Sequence, residues 1–263
     1  MGTLGKIVRE AELRAAALDR SLEELERSAA QVPAGPSLQT ALQNSSVGLV
    51  AEVKRRSPSK GAIAVGLDAV TQAKAYAEGG AAGVSVLTEP AHFGGSVDDL
   101  LAVRRAVTIP ALKKDFHVAA VQLVEARALG ASAALLIARA LSPERLAELM
   151  RLGRALGLEL LVEVRNEAEL ERSLSEGATM IGVNNRDLET LVIDPDTAMR
   201  LIPLIPASVV AIAESGIRTR ANVERYAAAG ADAVLVGSSL SAALDPLAAV
   251  RALTGVRRMD RAR

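Results

Sequence analysis

Gly230-Ala231-Asp232-Ala233-Val234-Leu235-Val236 has three counterparts earlier in the chain: Gly80-Ala81-Ala82-Gly83-Val84-Ser85-Val86-Leu87, Gly130-Ala131-Ser132-Ala133-Ala134-Leu135-Leu136-Ile137 and Gly177-Ala178-Thr179-Met180-Ile181-Gly182-Val183. Each sets Gly-Ala at the close of an amphipathic stretch and follows it with an apolar run. Glycine just past a helix adopts positive φ at little cost, and the run has the length of a buried strand. The copies recur about every 50 residues, a period that suits two strand–helix units. Between them lie four more short aliphatic segments, Gly48–Lys54, Pro110–Lys113, Leu158–Glu163 and Ser208–Ala213, each flanked by helical patterns. Near-continuous Val/Ile/Leu/Ala strands belong to a parallel sheet covered on both faces. Eight of them predict an α/β chain folded as a single (β/α)8 TIM barrel. An open doubly wound sheet needs fewer repeats, and no G-x-G-x-x-G follows the first strand.

The chain has 263 residues, and one such barrel typically takes about 250, so residues 1–263 are read as one domain. Residues 1–47 precede the first strand as a helical extension. Leu13, Ala16, Ala17, Leu22 and Leu25 fall at helical spacing within Arg9–Ser28, and a second short helix is expected over Ser37–Gln43. The extension is either packed on the barrel or a lid over one mouth. The basic tail Val256–Arg263 is expected to fray. Lys+Arg and Asp+Glu number 31 each, so the positive field that a nucleic-acid or anionic-membrane binder needs is absent. The absence of cysteine excludes disulfides, thiolate metal clusters and a cysteine nucleophile. Charges at Arg9, Glu10, Glu12 and Arg14 leave no apolar leader, and the apolar runs are too short to span a bilayer. The expectation is a cytoplasmic protein, and its even charge fits a monomer.

Chemistry in such barrels sits at the C-terminal strand ends. In order, those ends read Glu52-Val53-Lys54, Thr88-Glu89, Lys113-Lys114-Asp115-Phe116, Arg139, Glu163-Val164-Arg165, Asn184-Asn185-Arg186-Asp187, Glu214-Ser215-Gly216 and Gly237-Ser238-Ser239. Strand alternation puts Glu52 and Lys54 on one side. An ionisable group at the edge of an apolar strand is costly unless paired. One or two would be structural ion pairs; so many, mixing Glu with Lys, point to a catalytic mouth. Ser215-Gly216 and Gly237-Ser238 follow the last two strands, where barrels often hold phosphate; helix capping is the alternative. The basic loop Arg55–Gly61 is a surface turn or a flap that brings Ser57 and cations to an anion. Phe93 and Phe116, just past the second and third strands, suit a slot for a flat ring. His92 and His117 share those loops without a third histidine, so no metal is expected.

Leu49-Val50-Ala51-Glu52-Val53-Lys54-Arg55-Arg56-Ser57-Pro58-Ser59-Lys60-Gly61 resembles the signature of the indole-3-glycerol-phosphate synthase family, the ring-closing enzymes of tryptophan biosynthesis. Lys114-Asp115-Phe116, Glu163-Val164, the run from Ile181 to Thr190, Ala213-Glu214-Ser215-Gly216-Ile217 and Val236-Gly237-Ser238 match that family in order and spacing. The resemblance covers essentially the whole chain. It implies a carboxy-lyase that turns 1-(2-carboxyphenylamino)-1-deoxyribulose 5-phosphate into indole-3-glycerol phosphate, CO2 and water, with no cofactor. It also implies Lys114 as general acid, with Lys54, Glu163 and Glu52 serving the later dehydration. Asn184, Arg186 and Glu214 would hold polar groups of the substrate, and Ser57, Ser215, Gly216, Gly237 and Ser238 its phosphate. Phe93 and Phe116 would border the aryl ring with Leu135, Leu188 and Leu235. The partner implied is a small phosphorylated substrate, and weak association with other enzymes of the pathway stays open.

Arg165 stands where the family often has Asn or His. Alternation points it the same way as Glu163, so it either pairs with that carboxylate and weakens it as a base or bends outward. A phosphoribosyl-anthranilate isomerase, the main rival, would use a Cys/Asp pair that a cysteine-free chain lacks. A non-catalytic binding barrel would not be expected to keep Glu52, Lys54, Lys114, Glu163 and Glu214 together.

Overall fold

The computed structural model describes residues 2–261. Eight parallel strands close on themselves in chain order: Gly48–Val53 (β1), Gly83–Leu87 (β2), Ala111–Lys114 (β3), Ala133–Ile137 (β4), Glu159–Val164 (β5), Met180–Asn184 (β6), Val210–Glu214 (β7) and Ala233–Val236 (β8). Closure comes from β1, which pairs with β8 on one edge and β2 on the other. This is the expected (β/α)8 barrel. Pro110 stays just outside β3, where its carbonyl accepts from Val84 N at 2.9 Å; it has no N–H to give to a ladder.

The repeated Gly-Ala dipeptides do the work expected of them. Gly80, Gly130, Gly177 and Gly230 all sit at positive φ, between 75° and 95°. Each following alanine donates back into the helix it leaves: Ala81 to Tyr76 O, Ala131 to Ala126 O, Ala178 to Ser173 O and Ala231 to Tyr226 O, at 3.0–3.1 Å. This is a Schellman closure, and it turns the chain directly into the next strand.

The extension forms a helical run, Thr3–Leu18 (α1), a 3-10 turn Asp19–Ser21 and Leu22–Gln31 (α2), then Leu38–Leu42 (α3). Leu4 and Ile7 of α1 reach the mouth of the barrel, whereas α2 packs on the helix Ala120–Ala128. Leu38 and Leu42 of α3 are fully buried at the opposite end. They pack where a side chain on Gly83 or Gly48 would stand, so glycines at the starts of β2 and β1 make room for the plug.

The tail does not fray over its described part. Val256 is buried and its carbonyl accepts from Val47 N at 2.8 Å. Arg261 is buried too; its guanidinium pairs with Asp232 at 2.7 Å and donates to Gly230 O and Val209 O at 2.6 and 2.5 Å. Those bonds hold the tail against the barrel, with only Arg261 Nε left without a partner among the described residues. Ala262 and Arg263 lie outside the described residues.

Glu159, at the start of β5, fastens the plug. One oxygen accepts from Ser37 Oγ at 2.5 Å, the other from Leu38 N and Gln39 N at 2.8 and 3.0 Å. Glu159→Ala is expected to cost about 2 kcal/mol, the worth of a charge-assisted contact of this kind, and to lower Tm by roughly 6 °C. Thermal denaturation checks this; an unchanged Tm would mean that Leu38 and Leu42 hold α3 alone.

Candidate active site

Alternation along the strands decides what faces the interior of the C-terminal rim. In β1 it turns Glu52 inward and Val53 outward; in β3 it turns Lys114 inward and Lys113 outward. Glu163, next to last in β5, and Glu214, the last residue of β7, also face inward. One cavity at this rim is lined by Glu52, Lys54, Ser57, Phe93, Lys114, Phe116, Glu163, Asn184, Arg186, Glu214, Ser215, Gly216, Gly237 and Ser238. The structure therefore brings into one cavity every residue to which the family resemblance gives a role, whereas Glu89, Lys113, Arg139 and Arg165 from the same strand ends do not line it.

Two ion-paired sets occupy the cavity. Lys114 Nζ lies 3.2 Å from Glu163 Oε2 and 3.6 Å from Glu214 Oε2. Lys54 Nζ lies 2.5 Å from Glu52 Oε1. Asn184 Nδ2 donates to the second oxygen of Glu163 at 2.9 Å, and Ser85 Oγ to the second oxygen of Glu52 at 3.3 Å. A Cβ on Gly182 would collide with the Glu214 carboxyl, and one on Gly237 with that of Glu52. Glycine inside a strand often marks such a close approach, a signal in the sequence that was available for Gly182 and not used.

These neighbours set the proton affinities. Burial disfavours the Lys114 ammonium, but Glu163, Glu214 and Glu52 outweigh it and raise its pKa. Burial likewise disfavours the Glu52 carboxylate, but Lys54 and Lys114 prevail and lower it. Glu214 goes the other way. Burial, reinforced by Glu163 and Glu52 and only partly offset by Lys114, pushes it up to about 8. Its Oε1 is buried without a hydrogen-bond partner among the described residues. Glu214 thus keeps its proton to higher pH than Glu52 does, which sets a proton-donating carboxyl beside the Lys114 ammonium and apart from an ionised Glu52. Such divergence between neighbouring acids is how acid and base roles are separated.

Arg165 bends outward. The strand ends at Val164, and Arg165 N turns to Glu169 Oε2 at 2.8 Å. Its guanidinium donates to Asp187 at 3.1 Å and approaches the carbonyls of Asn184 and Asn185 at 3.5 and 3.3 Å. Burial opposes the Asp187 charge, but the Glu189 and Thr190 amides and Arg165 hold its pKa down to about 2. The partners of Glu163 are Lys114 and Asn184. Arg139 also pairs with Glu169 and Asp187, outside the cavity.

Around the rim, Phe93 and Phe116 form one wall, with ring centroids 6.2 Å apart and Lys54 Nζ 5.9 Å from the Phe93 centroid. Their positions depend on α1. Arg14 pairs with Glu89 at 3.3 Å and Asp115 at 2.8 Å. Glu89 accepts from the amides of Ala91, His92 and Phe93, which caps the turn carrying Phe93. Asp115 accepts from Phe116 N. Glu10, Glu89 and His92 bring possible ligand atoms within 4.8 Å of one another, but both oxygens of Glu89 are engaged in this cap. The sequence reading missed Thr3, Leu4 and Ile7 as parts of the mouth and Arg14 as a brace of its loops, because one helix gives no sign of which face will meet residues as far along the chain as Glu89 and Asp115, 75 and 101 positions beyond Arg14. It also left Arg218 unmentioned, and Lys60 only as part of a basic loop.

The family model described as "Indole-3-glycerol phosphate synthase" matches residues 4–253. A protein of that name from Mycolicibacterium vanbaalenii is 49% identical over 230 residues, covering 88% of this chain and 85% of the relative. Namesakes from Mycobacterium leprae and Mycobacterium tuberculosis are 50% identical over the same shares. Among solved structures, a 3-hexulose-6-phosphate synthase aligns with a TM-score of 0.64 at 16% identity, over 79% of this chain and 98% of that one. At that identity the likeness concerns the fold alone.

The raised Glu214 carboxyl makes a prediction about stability. Between its ordinary value and about 8 the folded state binds a proton that the unfolded state has released, so this group lowers stability as pH rises through that window. Glu214→Gln removes the effect. The difference in Tm, variant minus wild type, should grow from pH 5 to about pH 8 and then level off. A difference that stays flat with pH would show that Glu214 is already ionised.

Proposed function

The chain belongs to the indole-3-glycerol phosphate synthase family, and from that membership we propose how its residues divide the reaction. The protein is a decarboxylating lyase of tryptophan biosynthesis. It closes the ring of 1-(2-carboxyphenylamino)-1-deoxyribulose 5-phosphate and releases CO2 and water. In our assignment the aryl group lies against Phe93 and Phe116, and the phosphate against the Ser215-Gly216 and Gly237-Ser238 loops, with Ser57 nearby. That orientation places the ketone over the floor where Lys114 stands.

The observation that carries the assignment is the buried Lys114 ammonium between Glu163 and Glu214. The ring carbon bearing the carboxylate attacks the ketone, and negative charge gathers on its oxygen. Lys114 gives that oxygen a proton. The glutamates around it favour the ammonium in the free enzyme, yet a forming alkoxide is far more basic than a lysine amine, so the transfer becomes favourable as the bond forms. Loss of CO2 restores the aromatic ring. The new hydroxyl then leaves as water with a proton from Lys54, whose position Glu52 fixes, while Glu163 takes up the proton whose loss completes the indole. Asn184 holds Glu163 in place, and Arg186 and Glu214 bind polar groups of the substrate. A cytoplasmic monomer, free to associate weakly with neighbouring enzymes of the pathway, completes the proposal. Among the described residues no helix is long and apolar enough to cross a membrane.

The chain contains no tryptophan, so indole fluorescence from the product rises over a nearly dark protein. The purified protein should generate that signal without added metal and in the presence of EDTA. Lys114→Met should lower turnover by roughly 10²–10⁴-fold, the usual worth of a positioned acid, with substrate binding largely kept. Wild-type turnover in Lys114→Met would remove Lys114 from the acid role.

A further inference from the structure

Five lysine and arginine side chains line the cavity: Lys54, Lys60, Lys114, Arg186 and Arg218. Lys54 and Lys114 are neutralised by carboxylates. Among the described residues, Lys60, Arg186 and Arg218 make no ion pair. Arg186 is fastened by a bond to Leu191 O at 2.7 Å. Lys60 and Arg218 have no side-chain hydrogen bond to any described residue, and both are exposed. The proposed mechanism gives them no task.

Their placement is not that of scattered surface charges. Lys60 sits at the tip of a hairpin, Arg56–Ser57 against Gly61–Ala62, that follows β1. Arg218 lies two residues beyond Gly216 in the loop after β7. Strands β7, β8 and β1 are consecutive around the barrel, so the two cations flank the Gly237-Ser238 loop from either side. Their charges are mutually felt: partial burial, and then Arg218, Arg186 and Lys54, hold Lys60 below the usual lysine range. Like charges gathered without a counter-ion repel, and a bound anion relieves that repulsion. The family's substrate carries a phosphate dianion and a carboxylate, three negative charges facing three unpaired cations.

We propose that Lys60 and Arg218 are substrate-binding residues that form a two-armed clasp over the phosphate, one arm from the β1 hairpin and the other from the β7 loop. The identity of the ligand rests on the family reading; the preference for a dianion does not. Neither side chain touches the reacting atoms, so the clasp acts on binding before chemistry.

Lys60→Ala and Arg218→Ala should each raise KM roughly 10-fold, and the double variant roughly 100-fold, the loss of one and two charge-assisted contacts; kcat should fall far less than KM rises. Arg218→Lys and Lys60→Arg should restore most of the affinity. Calorimetric titration with inorganic phosphate should show the same order of weakening. A substrate analogue lacking the phosphate should bind wild type and variants alike. Unchanged KM and phosphate affinity would overturn the clasp, as would an equal loss toward the phosphate-free analogue. If the wild-type protein forms no indole product, the family's reaction fails for this chain, and the phosphate titration still decides the clasp.

Discussion

Three carboxyl groups, Glu52, Glu163 and Glu214, are buried at one end of a closed barrel, and the ammonium of Lys114 is what makes that arrangement tenable. Buried charge without a partner is expensive. Here a single cation pairs with two of the carboxyls and lowers the pKa of the third. Lys54 supplies a second cation for Glu52. With more negative than positive groups on the floor, one carboxyl keeps its proton, and Glu214 is the one that does. The shortage of compensating charge thus fixes the distribution of protons that acid–base chemistry would use. The same shortage explains why glycines at 182 and 237 matter: they leave space for carboxyls that cannot move elsewhere.

The rim above that floor is divided. Loops after β2 and β3 bring Phe93 and Phe116, and the interior adds Leu135 and Ile137 beside them. Loops after β6, β7, β8 and β1 bring Arg186, Arg218, two Ser/Gly turns and Lys60. An apolar half beside a cationic half suits a ligand with an aryl group at one end and a phosphate at the other. A closed barrel yields this split without special design, since neighbouring strands deliver neighbouring loops. Ser215 and Gly216 are both left-handed, at φ 69° and 81°. A serine in that conformation is uncommon, and it turns the chain where the loop after β7 meets the loop after β8, with Ser239 Oγ donating to Ile217 O at 3.1 Å.

The fold was legible because it is periodic. Four Gly-Ala closures and eight aliphatic runs specify strand–helix units whatever the loops contain, and the closing contact of β1 with β8 follows from their number. The candidate site was legible for a related reason: a parallel barrel gathers its strand ends, so polar residues at the ends of apolar strands must meet. What could not be read were contacts that no local pattern encodes. Arg14 reaching Glu89 and Asp115, and Arg261 reaching Asp232, are pairings between distant segments. Arg165 shows the limit of alternation itself. The rule that points it toward Glu163 holds only while the chain remains a strand, and the backbone leaves the sheet one residue earlier.

The two lysines that end β3 show how far one residue of register reaches. Lys114 faces the cavity. Lys113, turned outward by the same alternation, is almost wholly buried between barrel and helix, 3.0 Å from Glu125, 3.7 Å from Asp115 and 3.3 Å from His117 Nε2. Burial, followed by the Lys113 charge, depresses the His117 pKa to about 3. The imidazole is therefore neutral at physiological pH. Nδ1 gives its proton to Leu135 O at 2.7 Å, which leaves Nε2 free to accept from the ammonium. Asp115 in turn receives Thr88 Oγ1 at 2.7 Å and Arg14. The strand end that presents Lys114 is thus braced on its outer face by a filled network of charges and hydrogen bonds, while its inner face is kept short of compensation. A slip of one residue that put Lys114 in the outer place of Lys113 would bring Asp115 into the cavity, setting a fourth carboxyl where the cation now stands. Register in β3, set by the pairing of Leu87 with Lys114, is therefore as much a condition of the proposed chemistry as the lysine itself.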